Sequence, residues 1–146
     1  VSHILPERLS SRPLGWSISY GGFYTQMTAA IDTRIHAAVS NAFFNDRYTY
    51  CWGDFSWYRS ALIFKDSELC GLIAPRYFCI HVGEADSVFD INSALPEIER
   101  AKSFFAVHNA SEKLKIIVSP VNHTLTDTGE ELDFLMKALS LKKCKE

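Results

Sequence analysis

The sequence predicts an α/β fold in which a parallel sheet is layered with helices, and three observations carry that reading. Residues 77–82 (YFCIHV) and 114–118 (LKIIV) are continuous apolar runs bounded by breakers, the pattern of strands buried on both faces. Segments of strand and helix character alternate four times along the chain, the arrangement of a layered α/β domain. Residues 14–31 read as a short apolar strand, a Ser in a tight turn, two glycines and then a helix.

The elements follow in order. Residues 1–13 mix Pro, Ser and charge and read as an irregular N-terminal segment. The first strand spans 14–18. After the turn, Phe23, Met27, Ala30 and Ile31 recur at helical spacing, so the helix packs against a sheet. Residues 36–40 (HAAVS) form a second short strand, parallel to the first if the helix crosses over in the usual right-handed sense. Residues 41–65 crowd aromatics between polar residues without alternation and read as a loop and helix over the top of the sheet. Phe44, Tyr48, Trp52, Phe55 and Trp57 either plug the fold there or line a pocket or lid. A helical turn over 68–73 stops at Ala74-Pro75-Arg76, ahead of the strand at 77–82. The helix over 93–107 puts Leu95, Ile98, Ala101 and Phe105 on one face, with Glu97, Glu99, Arg100 and Lys102 mainly elsewhere. The last helix is expected to open on a capping box, Thr128 with Glu131, and to bury Leu132, Leu135, Met136 and Leu139. The whole chain, 1–146, reads as one domain.

Composition narrows the function classes. With 146 residues, 47% apolar and 22% charged, the chain permits a real core, and its net charge of −2 gives no reason to expect nucleic acid or an anionic membrane as partner. No apolar run is long enough to span a bilayer, and VSHILPERLSSRP lacks the basic start and apolar centre of a signal peptide. Cys51, Cys70, Cys79 and Cys144 show no metal-like spacing and read as free thiols, which points to the cytoplasm. Neither a metal nor an organic cofactor is expected.

The strand–Ser–helix layout is that of a nucleophile elbow, in which a sharp turn strains the Ser backbone and brings strand and helix so close that their flanking residues must be small. Two serines compete. Ser17 has Gly15 before it but only Ser19 after it, whereas Ser19 has Ser17 before and Gly21 and Gly22 after, and ends its strand as the geometry requires. Ser19 is the preferred nucleophile. A hydroxyl needs a base to take its proton, and an imidazole steadied by a carboxylate suits that task. His123 lies in a loop after a strand. Asp86 lies just past the strand at 77–82, with Asp90 as its rival four residues on. Strand C-terminal ends are where sites form in such sheets.

SYGGFYT after a strand, LIAPR leading into a strand that ends in GEAD, and the His of SPVNH together resemble the C-terminal half of an α/β-hydrolase. The chain order Ser, Asp, His matches that superfamily. The dienelactone hydrolase-like and acetyl xylan esterase-like groups are most similar, with the prolyl oligopeptidase catalytic domain also similar, over about residues 14–140. The resemblance implies a carboxylic ester hydrolase acting through an acyl-enzyme. Ser19 would be nucleophile, His123 base, Asp86 acid, and the Tyr20 backbone N–H one oxyanion-hole donor. The family has further strands before the elbow, so here the first strand is expected at an open sheet edge, available to another chain or to a second copy. The other readings are a prolyl oligopeptidase-like peptidase and a non-catalytic or truncated fragment.

Overall fold

The computed structural model describes residues 12–49, 59–125 and 129–140. Strands β1 (Leu14–Ile18), β2 (Ala37–Asn41), β3 (Tyr77–Gly83) and β4 (Leu114–Ser119) form one parallel sheet in the order β1-β2-β3-β4. Helices α1 (Tyr20–Ile31), α2 (Ser60–Ile63), α3 (Asp66–Ile73), α4 (Ile91–Val107) and α5 (Glu130–Ala138) connect and follow the strands, with a 3₁₀ turn at Ser111–Lys113. The parallel register runs Ile18 beside Asn41, Asn41 beside His81 and Gly83 beside Ser119, so the strands end nearly level. Among the described residues β1 pairs only with β2 and stands at the sheet edge.

Period-two alternation sorts the strand residues between two helical layers. Ala38, Phe78, Ile80 and Val82 point to one layer, where they pack with Ala29 and Ala30 of α1, Leu69 and Ile73 of α3, and Ile98, Ala101 and Phe105 of α4. Ala37, Val39, Cys79 and Ile117 point to the other, which α5 covers with Phe134, Leu135 and Ala138. Cys70 and Cys79 are buried free thiols, one in each layer. Cys51 and Cys144 lie outside the described residues.

Several expectations are corrected. Phe44 is not at a pocket or lid; it is fully buried in the larger core, because the chain turns inward directly after β2. Helix α4 begins at Ile91 rather than residue 93, since the Asp90 side chain caps it by accepting from the Asn92 N–H at 3.0 Å. Its Glu97 is fully buried, accepting from the Ser67 N–H at 3.2 Å and pairing with Arg100, while Leu95 is exposed. Glu131 does not close a capping box. Helix α5 starts at Glu130 after Gly129 at φ 71°, and the Glu131 carboxylate turns down onto the sheet while Leu132 faces out. Thr128 lies outside the described residues.

The segment after β2 is held by charge as well as by apolar contact. Arg47, 6% exposed, donates from Nε to Asp66 Oδ1 at 2.7 Å and lies over the rings of Phe64, Phe23 and Phe43 at 4.7, 5.5 and 5.9 Å. Asp66 also accepts from the Asn45 N–H at 3.1 Å. Burial raises the Asp66 carboxyl from 3.8 to about 6, against the pull of Arg47. Its folded state thus holds a proton more tightly than the unfolded chain does. The group favours folding below its unfolded pKa, and that contribution is lost as pH rises through about 6. Asp66→Asn, which mimics the protonated acid, is therefore expected to lose the decline of stability between pH 3.8 and about 6. Urea unfolding across that window checks it, and an unchanged slope would assign the titration to another group.

Candidate active site

The site begins with the turn at Ser19. Ile18 ends β1 and Tyr20 starts α1, leaving one residue to reverse the chain, and Ser19 sits at φ 56°, ψ −120°. That region is costly for a residue bearing a Cβ, on the order of 1–3 kcal/mol, and survives only where the surroundings over-determine it. Here they do: the Ser19 N–H donates to Asn41 O at 2.9 Å and its carbonyl accepts from the Phe23 N–H at 3.0 Å.

The close approach dictates the small neighbours. A methyl added at Gly21 would fall 1.8 Å from Ser17 Oγ and 2.7 Å from Ser17 Cβ. One added at Gly22 would fall 2.8 Å from Asn41 O and 3.2 Å from Phe43 Cβ. Ser17 thus packs beneath the first turn of α1, and Ser19 alone of the two serines reaches the histidine.

Ser19 Oγ lies 2.9 Å from His123 Nε2, and His123 Nδ1 lies 2.9 Å from Asp86 Oδ2. The three residues come from the ends of β1, β3 and β4. Asp86, its side chain 1% exposed, is anchored through Oδ1, which accepts from the N–H groups of Val88 and Phe89 at 2.8 and 2.9 Å. Those bonds orient Oδ2 toward the imidazole. Since a carboxylate only accepts, the His123 proton stands on Nδ1, and Nε2 is left to accept from the Ser19 hydroxyl. Asp90, the rival acid, is occupied in capping α4.

The histidine loop has its own supports, which sequence reasoning missed. Asn122 Oδ1 accepts from the His123 N–H at 2.7 Å and from the Ser87 N–H and hydroxyl at 3.0 Å each. The Ala85 N–H donates to Val121 O at 3.0 Å, and a methyl added at Gly83 would lie 2.6 Å from that same carbonyl. The Phe89 ring sits 5.5 Å from the imidazole and 5.4 Å from Phe43. The Asn beside the His in SPVNH was the available signal for Asn122; nothing local marked Phe89.

Tyr20 is the first residue of α1, directly after Ser19. Tyr48, the other described aromatic of the expected lid, is half exposed, with the Lys65 ammonium 5.6 Å from its ring centre. Trp52, Phe55 and Trp57 lie outside the described residues. Asn45, Thr49, Val88, Asp90 and Ser93 line a cleft of about 440 Å³ between the segments after β2 and β3. Among the described residues no group of three His, Cys, Asp or Glu side chains could hold a metal ion, and no helix is long and apolar enough to cross a membrane.

No protein-family model and no curated protein matches the sequence. Solved structures do match. A carbohydrate esterase family 15 glucuronoyl esterase from Caldicellulosiruptor kristjansonii superposes with a TM-score of 0.76 at 18% identity, over 93% of this chain and 45% of that one. A glucuronoyl esterase from Solibacter usitatus gives 0.64 at 15% identity, over 85% and 41%. The methylesterase BT1017 gives 0.65 at 16% identity, over 86% and 29%. The chain has the α/β-hydrolase fold and spans less than half the length of these three structures.

The contact between Gly21 and Ser17 is testable by a double-mutant cycle. Gly21→Ala is expected to cost about 1–3 kcal/mol through overpacking, and Ser17→Gly in the same chain to restore much of it. Urea unfolding of the four proteins checks this, and strictly additive effects would rule out the contact.

Proposed function

We propose that the chain carries the nucleophile, base and acid of a serine ester hydrolase that works through an acyl-enzyme. The observation that carries this reading is the continuous hydrogen-bond chain from Ser19 Oγ through His123 to Asp86 Oδ2, each link 2.9 Å, behind a strained elbow. The esterase names of the structural neighbours support the reaction class.

The reaction follows from the geometry. Ser19 Oγ attacks the ester carbonyl carbon as its proton passes to His123 Nε2, giving a tetrahedral adduct with the negative charge on the former carbonyl oxygen. The Tyr20 N–H, at the positive end of α1, is one donor to that oxygen. The imidazolium, steadied by Asp86, then protonates the departing alkoxide oxygen as the C–O bond breaks. An acyl-Ser19 ester and a free alcohol result. Water repeats the sequence in reverse: it loses a proton to His123, attacks the acyl carbon, and expels Ser19 with that proton returned to Oγ. No metal or organic cofactor enters these steps.

The substrate is a small ester. The reducing cytoplasm suits the two buried free thiols, Cys70 and Cys79. A partner chain or second copy pairing along β1, which among the described residues pairs only with β2, would supply further ladder hydrogen bonds.

Labelling with a fluorophosphonate probe tests the reading. Wild type and Ser17→Ala are expected to label; Ser19→Ala is not. Asp86→Asn should keep the site's shape but lower the labelling rate by about 10⁴, because the imidazole proton moves to the wrong nitrogen. No labelling of a folded wild-type chain would favour the non-catalytic reading.

A further inference from the structure

A second Ser–His–acid chain lies behind the first, on the sheet face that α5 covers. Ser119 Oγ is 2.7 Å from His81 Nε2, and His81 Nδ1 is 2.5 Å from Glu131 Oε1. The same oxygen accepts from Asn41 Nδ2 at 2.7 Å, and Oε2 accepts from the Trp16 indole N–H at 2.7 Å. Asn41, His81, Ser119 and Glu131 are each 4% exposed or less. One carboxylate on α5 therefore collects donors from β1, β2 and β3, and reaches β4 through the imidazole.

Burial keeps substrate away from Ser119, so this chain is no second reaction centre. Its importance lies in what the same residues do with their main chains. The Asn41 carbonyl accepts the Ser19 N–H, which fixes the elbow. The His81 carbonyl accepts the Ala42 N–H and so starts the segment that carries Phe43. The Ser119 carbonyl accepts both the Glu84 and Val121 N–H groups at 2.8 Å, two residues ahead of Asp86 and of His123 respectively. Asn41, which meets Glu131 directly, and Ser119, which reaches it through His81, are thus the residues whose main chains seat the three members of the front chain. A buried carboxylate is an expensive way to add stability, since apolar packing at similar volume does as well or better. What it adds is a single geometry, because three donors converge on an acceptor that cannot be replaced by a donor.

We propose that Glu131, with His81 as its link to Ser119, is a positioning residue for the Ser19–His123–Asp86 site, holding the ends of the four strands at the register the site requires. The proposal rests on the hydrolase reading for its functional meaning, but its physical content is a coupling between Glu131 and the His123 ring.

The test uses the full chain and four proteins: wild type, Glu131→Gln, Glu131→Leu, and Phe134→Leu as a control. Phe134→Leu trims a buried side chain on the same helix and the same face without touching the polar chain. The readouts are the ¹⁵N and ¹H resonances of the histidine rings, the fluorophosphonate labelling rate and the thermal midpoint. Glu131→Gln keeps the shape but replaces one accepting oxygen with an NH₂ donor, so either Trp16 or the Asn41–His81 pair loses its acceptor and the convergence on one carboxylate is broken. The His123 ring signals should be displaced, and the labelling rate should fall by about tenfold or more, the scale of a small misplacement at a reacting group. Glu131→Leu should act in the same direction and further. Phe134→Leu should lower the midpoint while leaving the His123 signals in place and the rate within about twofold of wild type.

His123 signals that stay in place in Glu131→Gln, or that move as much in Phe134→Leu, would overturn the coupling. Should Glu131→Leu fail to fold, Glu131→Gln decides alone. A wild type that never labels, with His123 signals still displaced by Glu131→Gln, would sink the hydrolase reading and leave the coupling standing. A wild type that labels, with variants labelling at its rate and His123 undisturbed, would do the reverse.

Discussion

The backbone conformation of Ser19 is the constraint on which the rest of the site depends. A single residue reverses the chain between β1 and α1, and it does so at φ 56°, where a side chain is strained. The strain is tolerable because both sides of the turn are bound: the N–H to Asn41 on the neighbouring strand, the carbonyl into the first turn of the helix. It also forces α1 down onto β1 and β2, so that Gly21 meets Ser17 and Gly22 meets the Asn41 carbonyl. Small residues there are a consequence of the turn, and the turn is a consequence of lifting one hydroxyl clear of the sheet.

That hydroxyl means little until the other strand ends are brought level with it. The parallel register does this, since the ends of β1, β3 and β4 reach the same rim of the sheet. Loops then add the last few ångströms. The Asp86 carboxylate accepts from the N–H groups of Val88 and Phe89, and Asn122 ties the His123 main chain to Ser87. The polar interior is concentrated close to this rim. Arg47 and Asp66 hold the segment after β2 against α3, and Glu131 gathers Trp16, Asn41 and His81 from the opposite layer. Asp66 and Glu131, like the buried Asp86 and Glu97, are matched by donors, as the low local dielectric demands.

Much of this was legible from local pattern. The strands read at 77–82 and 114–118 stand out as apolar runs between breakers, the first buried as expected and the second half-buried, with Val118 exposed. The Ser–Gly–Gly turn announces both strain and close approach. The preference for Asp86 over Asp90 followed from nearness to a strand end, and the structure adds that Asp90 is engaged as a helix cap. Where pattern failed, it failed through polarity. Glu97 and Glu131 are charged residues on helices and read as solvated or capping, yet each faces inward because partners from other elements wait there. Phe44 was left between two readings, a plug or a lid, and its burial favours the plug, since the chain after β2 enters the core before it leaves.

The sequence by itself determined the layered α/β class, the strand and helix order, and the three residue types set at strand ends, because these depend on hydrophobic period and on steric limits within a few residues. Only the tertiary structure decided which serine meets the histidine, which aspartate stands behind it, and that a second Ser–His–Glu chain runs beneath the sheet. Those outcomes depend on hydrogen bonds between residues 37 to 115 positions apart in the chain. Such partners are set by strand register and layer packing, which no local pattern encodes.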